Sequence, residues 1–446
     1  MNNMQKPQNN SPKNAPKIAP KIGSVPNDRL VILFLVMMVA AAGNTAMQAT
    51  LPAISSTLKI SDVWVSMAFS WSALLWVWTA PKWARMSDKR GRKLLMSWGM
   101  WGFISSMLLC GVSLWLGLHG WIGAGLTFII FALFRSLYGG FGSAAPPAVQ
   151  AYLAARTEAE ERSKAMALLA SSFGLGTVIG PAVAAYLVFE PFGLAGPLFM
   201  FGAFGIAVWA ALKLRLPNDT PKFAARGAVA SYPSSASVNN APDGDIDEND
   251  NGQSTDRAPL NLRDSKIFKW LLSGLVVGHA QAILLGVIGF LVRDRLHLYD
   301  QPAMAVSMIG SVMFIGAIAT LLSQWGLIPL LSLSPSVCVR WGSIAAIIGI
   351  LIIAIGRDFS TISLGYAISS LGFGLTRPGF TAGASLAVDR SYQGDIAGKV
   401  ASINGAAYIA APAIGVALYN YYEPASFALM LSGLIFLLLW GWRKLD

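Results

Sequence analysis

The sequence predicts an all-α membrane protein of twelve membrane-crossing helices in two pseudo-symmetric six-helix bundles, and three observations carry that reading. The composition is 54% hydrophobic and only 12% charged, with a mean hydropathy of +0.55, whereas water-soluble domains hold about 25% charged residues. Apolar stretches of roughly 20 residues, the length a helix needs to cross about 30 Å of hydrocarbon, recur along the whole chain. The Lys and Arg residues collect in the connections on one side of those stretches, which marks that side as cytoplasmic. A net charge of +11 would otherwise suggest nucleic acid. The cations sit in separate short loops rather than on one surface, so no nucleic-acid partner is expected.

Taken in order, residues 1–28 are a polar tail rich in Asn, Pro and Lys, expected to be disordered, with no cleavable signal peptide. The first bundle occupies 29–215, with spans near 30–53, 62–83, 94–117, 121–145, 163–188 and 193–214. Residues 216–264 read as a cytoplasmic linker of Ser, Pro and Asn carrying Asp243, Asp245, Asp247, Glu248 and Asp250. Those acids lack the glycine and terminal glutamate spacing of a calcium loop. The second bundle, 265–446, holds spans near 267–291, 302–328, 336–356, 359–387, 397–420 and 424–442. Pro and Gly inside several spans would break a soluble helix but are tolerated in lipid, where unpaired backbone costs more than a kink. Of the 33 Lys and Arg, all but six fall on the side of the termini. Lys59, Arg293, Arg295 and Arg357 lie opposite, and Arg135 and Arg377 lie within spans. Both termini are therefore expected in the cytoplasm, at a cell inner (plasma) membrane. Cys110 and Cys338 fall in apolar segments without metal-ligand spacing and read as packing residues.

The halves also echo each other. Gly180-Pro181 in span five recurs as Ala411-Pro412 in span eleven, and Pro147 recurs as Pro378, both at an offset of 231 residues. Ala184 and Gly415 follow the later prolines at matching distances. A duplicated six-helix unit is implied, and transporters built from repeats place their site near the bilayer midplane between the halves.

Three local patterns then stand out. Between spans two and three, residues 84–93 read Ala-Arg-Met-Ser-Asp-Lys-Arg-Gly-Arg-Lys. A tight two-helix connection needs a residue free to take positive φ, which is Gly91. Asp88 can accept from helix-end amides or pair with Arg92. Span four carries Arg135, Tyr138, Gly139 and Gly142. Span five carries Gly176, Gly180 and Ala184 every four residues, one small face that lets another helix approach, with Pro181 permitting a bend.

In this order and on these spans, the patterns resemble the signatures of the major facilitator superfamily, and among its members the twelve-span, tetracycline-efflux-like drug:proton antiporters. Asp88, Lys89, Gly91, Arg92 and Lys93 match the loop signature, with Ala84 at its usual leading glycine. Tyr138 stands at a usual glutamine, and Ala184-Ala185 at a usual glycine pair. The resemblance implies that Asp88, Gly91, Arg92 and Lys93 form a conformational latch at the cytoplasmic side. It implies that Gly176, Gly180, Pro181 and Pro412 form a packing hinge. The acid that usually meets the latch is absent at Ala155, and Glu158, Glu160 or Glu161 is expected to replace it.

The resemblance also implies that spans one, four, seven and ten line a central cavity. Their polar residues here are Asn44, Thr45 and Gln48; Arg135 and Tyr138; His279 and Gln281; and Arg377 with Thr381. Ionisable groups inside a span are costly and are functional candidates by default, although Arg135 and Arg377 can equally serve nearby carbonyls or snorkel. His279 alone among these titrates near neutrality. It is the proton-coupling candidate, with simple packing as the alternative. No Asp or Glu is expected mid-membrane, so cationic drugs should be disfavoured against neutral, zwitterionic or anionic amphiphiles. Trp71, Trp76 and Trp78 read either as stacking platforms or as interface anchors.

The expected function is secondary active transport of a small organic solute by alternating access, as proton-coupled drug or metabolite efflux. The alternatives are an uptake carrier or exchanger for an organic anion, and a non-transporting membrane receptor or scaffold. No ATP-binding P-loop, catalytic constellation, metal cluster or cofactor motif is visible, so an enzyme is not expected. The expected partners are a small-molecule substrate, a proton and the lipid bilayer, with the chain a monomer.

Overall fold

The computed structural model describes residues 26–154, 156, 159–218, 264–389, 392–442 and 444. Almost all of the tail and linker of the sequence reading lies outside those residues. Beyond one isolated bridge between Phe189 and Gly193, the described residues hold no strand.

The first bundle comprises α1 (Asn27–Thr57), α2 (Asp62–Arg90), α3 (Arg92–Leu118), α4 (Ala124–Phe141, carried on by a 3-10 turn Gly142–Ala144 and by Ala145–Ala154), α5 (Ala159–Ala184) and α6 (Gly196–Arg215). The second comprises α7 (Ser265–Arg295), α8 (Pro302–Leu321, carried on by a π turn Leu322–Leu327 and by Ile328–Leu331), α9 (Pro335–Ile355), α10 (Phe359–Leu386), α11 (Gln393–Tyr421) and α12 (Glu423–Gly441). The irregular turns have a local cause. Pro146-Pro147 and Pro329 follow the 3-10 and π turns of α4 and α8, and proline supplies no N–H to a regular ladder.

Eleven of these helices are long and apolar enough to cross a membrane. The twelfth, α10, has 28 residues but gives many of them to Ser, Thr and Gly. At 1.5 Å per residue it still rises about 42 Å. Several helices outrun the apolar stretches that predict them. α1 and α7 reach 31 residues each, roughly 46 Å, so their polar ends project beyond the hydrocarbon.

Within the first bundle α1 packs on α5 and α6, and α3 packs on α4 and α6. Within the second, α7 packs on α11 and α12, and α9 on α10. The bundles meet along α2 with α11, α5 with α8, and α1 with α8. The duplication is visible in side-chain detail. A Cβ on Gly180 would fall 2.2 Å from the Ala42 carbonyl oxygen, so α5 lies against the α1 backbone. At the matching crossing of the second bundle, Gly286 of α7 meets Pro412 of α11. We call the face bearing the α2–α3 connection the terminal face and the opposite one the distal face.

Candidate functional site

A cleft of about 590 Å³, part of it open to its surroundings, lies between the bundles. The first bundle contributes Gln48, Leu51, Pro52, Val65, Ser66 and Phe69; the second contributes Leu285, Gly286, Gly289, Phe290, Met313, Tyr408 and Pro412. The wall is therefore apolar and aromatic, with three polar groups, Gln48, Ser66 and Tyr408, and no carboxylate among the residues that line it. The Gln48 Oε1 atom is buried and accepts no hydrogen bond. Such a wall suits a ligand with a large apolar body and few polar groups.

Two guanidinium groups stand one layer behind this wall. Arg135 of α4 is fully buried. It donates from Nη2 to Asn44 Oδ1 of α1 and lies 5.0 Å from the ring centre of Phe69, which faces the cleft. Tyr138 is not on the wall. Its ring lies 4.6 Å from Arg135 and packs on Trp76 and Phe103 at 5.3 and 5.9 Å. Arg377 of α10 is buried beside Tyr408, so each bundle backs a cleft-lining aromatic residue with a cation. Thr45 satisfies itself on the carbonyls of Ala41 and Ala42, and Thr381 is buried. Of the tryptophans in α2, Trp76 is interior, whereas Trp71 and Trp78 are exposed on the outside.

α7 presents two faces. Gly274, Gly278 and Gln281 recur at helical spacing. Gly274 meets Phe380 of α10 and Gly278 meets Ala407 of α11, so Gln281 points into its own bundle. His279, Ala282, Gly286, Gly289 and Arg293 share another face, where Gly289 meets Pro52 of α1. His279 thus stands on the side that faces the first bundle, half-buried, its Nδ1 2.7 Å from the Leu275 carbonyl. That face is buried at Gly289 and Arg293 but 38% exposed at Leu275.

The distal end of the cleft is sealed by charge. Arg293 forks onto Asp62 at the start of α2, Nη1 to Oδ1 at 2.9 Å and Nη2 to Oδ2 at 2.8 Å. Nη1 also donates to the Pro52 carbonyl at 3.1 Å and to Ser55 Oγ at 3.2 Å. Ser55 in turn donates to Asp62. Arg293 Nε donates to Asp294, which also accepts from the Tyr299 and Tyr419 hydroxyls at 2.9 and 3.1 Å. Partial burial and the Asp294 carboxylate push the Tyr299 hydroxyl above its ordinary value. Arg295 turns the other way, onto Glu423 and the carbonyls of Ile353, Ala354 and Gly356. Sequence reasoning counted Arg293 and Arg295 only as topology markers. The available signal was a run of three charges, Arg293-Asp294-Arg295, ending an apolar span.

The terminal face is built differently. α2 runs on through Asp88 to Arg90 and α3 starts at Arg92, so the loop expected over residues 84–93 shrinks to Gly91, at φ 95°. Arg92 is buried. Lys93 Nζ donates to the carbonyl oxygens of Lys213, at 3.0 Å, and Leu216, closing the end of α6 in the same bundle. Arg340 does the same for the second bundle, donating to the Trp442 carbonyl. The Asp88 side chain, Glu158, and the side chains of Glu160 and Glu161 lie outside the described residues. Gly176 and Gly180 face α1, where their missing Cβ atoms would meet the carbonyls of Met38 and Ala42, and the Pro181 carbonyl faces Gly310 of α8.

The Major Facilitator Superfamily profile matches residues 33–412. Multidrug resistance protein 2 of Bacillus subtilis (strain 168) is 25% identical over 381 residues, covering 81% of this chain and 82% of that protein. A bacterial homolog of the human lysosomal transporter Spinster, solved inward-facing and occupied, superposes with a TM-score of 0.68 at 12% identity, over 95% of this chain and 97% of that one. The human organic anion transporter MFSD10 (TETRAN) superposes with a TM-score of 0.62 at 17% identity, over 95% and 100%. The twelve-helix fold, the cleft between its halves and the profile match over most of its length agree: the chain belongs to the major facilitator superfamily and is a multi-pass membrane transporter.

Proposed function

We propose that this transporter exports a small, largely apolar organic solute from the cytoplasm in exchange for protons, by alternating access of the cleft between its bundles. The observation that carries this reading is the cleft itself, apolar and aromatic, lined without a carboxylate and closed at its distal end by the Arg293–Asp62 pair. The resemblance to a multidrug resistance protein supports an efflux substrate of that kind. The distribution of Lys and Arg supports cytoplasmic termini, and in this reading the distal seal is the outer gate. In this reading Asp88, Gly91, Arg92 and Lys93 close the terminal face in the opposite state. Gly176, Gly180, Pro181 and Pro412 carry the rocking, and His279 stands in the wet approach to the cleft.

Arg135 and Arg377 favour a second reading, uptake or exchange of an organic anion. Each lies behind an aromatic residue of the wall, so two cations stand close to a cleft whose lining residues include no acid. The likeness to a structure described as an organic anion transporter points the same way. Flux into proteoliposomes under an imposed pH gradient separates the two. Uphill movement of neutral amphiphiles against the proton gradient supports efflux, and gradient-independent exchange of anions alone replaces it.

A further inference from the structure

Two side-chain amides lie one turn apart on α1, and only one of them is spent. Asn44 Oδ1 accepts from Arg135. Gln48, four residues on and so on the same helix face, lines the cleft, and its Oε1 atom is buried without a donor. Of its first-bundle neighbours on the wall only Ser66 carries a side-chain donor, and it does not serve Oε1. Gln48 as a whole is half-buried, and the terminal torsion of a glutamine is soft, so the oxygen can turn onto a ligand beside it. Tyr408 of α11 faces the same cleft with the complementary chemistry. Its hydroxyl stands beside the Arg377 guanidinium, which can donate but never accept. The Tyr408 O–H is therefore not spent on Arg377, and it is buried with no acceptor of its own.

The cleft thus sets one unfilled acceptor of the first bundle against one unspent donor of the second. We infer that Gln48 and Tyr408 select neutral solutes that carry an N–H or O–H donor together with a carbonyl acceptor on an apolar body, of which a secondary amide is the simplest. Gln48 Oε1 accepts from the ligand's N–H, and the Tyr408 hydroxyl donates to its carbonyl. A ligand without a donor is buried against an unpaired amide oxygen, which is costly. A carboxylate serves Tyr408 but sets its own oxygens against Oε1. A permanent cation finds no counter-charge among the residues that line the cleft. The inference rests on the cleft being the transport site of the export reading above, and it names the class of solute that site takes.

The test compares N-hexylbenzamide with N-hexyl-N-methylbenzamide, which keeps the carbonyl and loses the donor. Binding of the radiolabelled probes is measured by equilibrium dialysis against the full chain in lipid nanodiscs, with empty nanodiscs subtracted. The decisive quantity is the preference for the secondary amide over the tertiary one, compared between parent and variant so that the probes' other differences cancel. Gln48→Leu, close in shape, should lower that preference about tenfold, the worth of one hydrogen bond to a buried group. Gln48→Met should do the same and decides the matter if the leucine variant does not fold. Tyr408→Phe should weaken both amides alike and keep the parent's preference. A preference that survives both Gln48 variants overturns the inference. So does a carboxylate probe, para-hexylbenzoate, that binds the parent more tightly than it binds Gln48→Leu. If Tyr408→Phe holds both amides as tightly as the parent does, the donor half of the site is wrong. Flux of the same probes under an imposed pH gradient keeps this inference apart from the reading it rests on. If binding follows Gln48 but the gradient moves neither amide, proton-driven export fails and the recognition stands. If the gradient moves the amides and their binding ignores Gln48, the inference fails alone.

Discussion

The two faces of the molecule use the same residue types to different ends. At the terminal face Lys93 bonds the last carbonyls of α6 and Arg340 bonds the end of α12, each within its own bundle. At the distal face Arg293 crosses the gap and binds an acid of the other bundle. A cation at a helix C-terminus is worth about 0.3–1 kcal/mol, whereas breaking a buried ion pair costs roughly 3–5 kcal/mol. Density of positive charge is therefore a poor guide to where a two-bundle protein is held shut. What matters is a counter-charge on the far side of the gap, and among the described residues Asp62 provides it.

The largest expected effect comes from removing the crossing cation. Arg293→Ala leaves Asp62 with Ser55 alone and Asp294 with two tyrosines, so two acids confront each other near the distal surface. Thermal unfolding in detergent should show a loss of about 3 kcal/mol at neutral pH, the low end of the range for a broken buried pair because Asp294 is partly solvated. The loss should shrink as pH falls, since protonation removes the stranded charges. Arg293→Lys keeps the charge but not the fork, and should fall between. If Arg293→Ala melts like the parent at neutral pH, the distal pair contributes nothing to closure and the contrast between the faces disappears.

Next in size is the crossing that both faces depend on. Gly180 lets α5 lie against the α1 backbone, and a Cβ there would sit 2.2 Å from the Ala42 carbonyl and 2.3 Å from Thr45 Oγ1. Neither is a yielding side-chain tip. Gly180→Ala should cost about 1–3 kcal/mol and slow transport without abolishing substrate binding, measurable as reduced turnover at unchanged affinity. Gly140, with nothing within 4 Å of its missing Cβ, tolerates the same change. Equal losses at the two positions would make helix propensity, not close approach, the cause.

These cases show what the sequence exposes and what it hides. The helices were legible because composition and length alone decide whether a segment can cross lipid, and α10 was marked as a span despite its Ser, Thr and Gly. The small face of Gly176, Gly180 and Ala184 was legible because a four-residue period is local, although its partner, α1, was not. The ends of α2 and α3 run past the apolar spans that predict them, because charged residues continue a helix once it leaves the bilayer. The distal seal was hidden for a different reason. Asp62 and Arg293 lie 231 residues apart, and no local pattern tells which of two bundles an arginine will face. Arg135 and Arg377 were legible as costly groups inside spans, but their position behind Phe69 and Tyr408 depends on packing that no periodicity encodes.

A smaller effect tests the terminal side of the contrast. Lys93→Met keeps the apolar stem and removes the ammonium from the carbonyls of Lys213 and Leu216. The expected cost is about 0.3–1 kcal/mol, read as a modest drop in melting midpoint, with the distribution of distances between spin labels at Thr57→Cys and Asp300→Cys, both exposed on the distal face, unchanged. A shift of that distribution would mean that Lys93 acts between the bundles and not within one.

The smallest effect lies in the pH dependence of the distal cluster's edge. The Tyr299 hydroxyl donates to Asp294 and is held above its ordinary value by partial burial and by that carboxylate. A raised phenol favours the folded state while it stays protonated. Its contribution is therefore complete below about pH 10, the value of an unfolded tyrosine, and is lost as pH rises through the higher folded value. Tyr299→Phe should match the parent's alkaline unfolding above that range and fall slightly below it in stability near neutrality. Because Tyr419 and Arg293 also hold Asp294, the deficit should be far smaller than that of Arg293→Ala. A deficit as large would locate the strength of the seal in Asp294's hydrogen bonds instead of in the crossing pair.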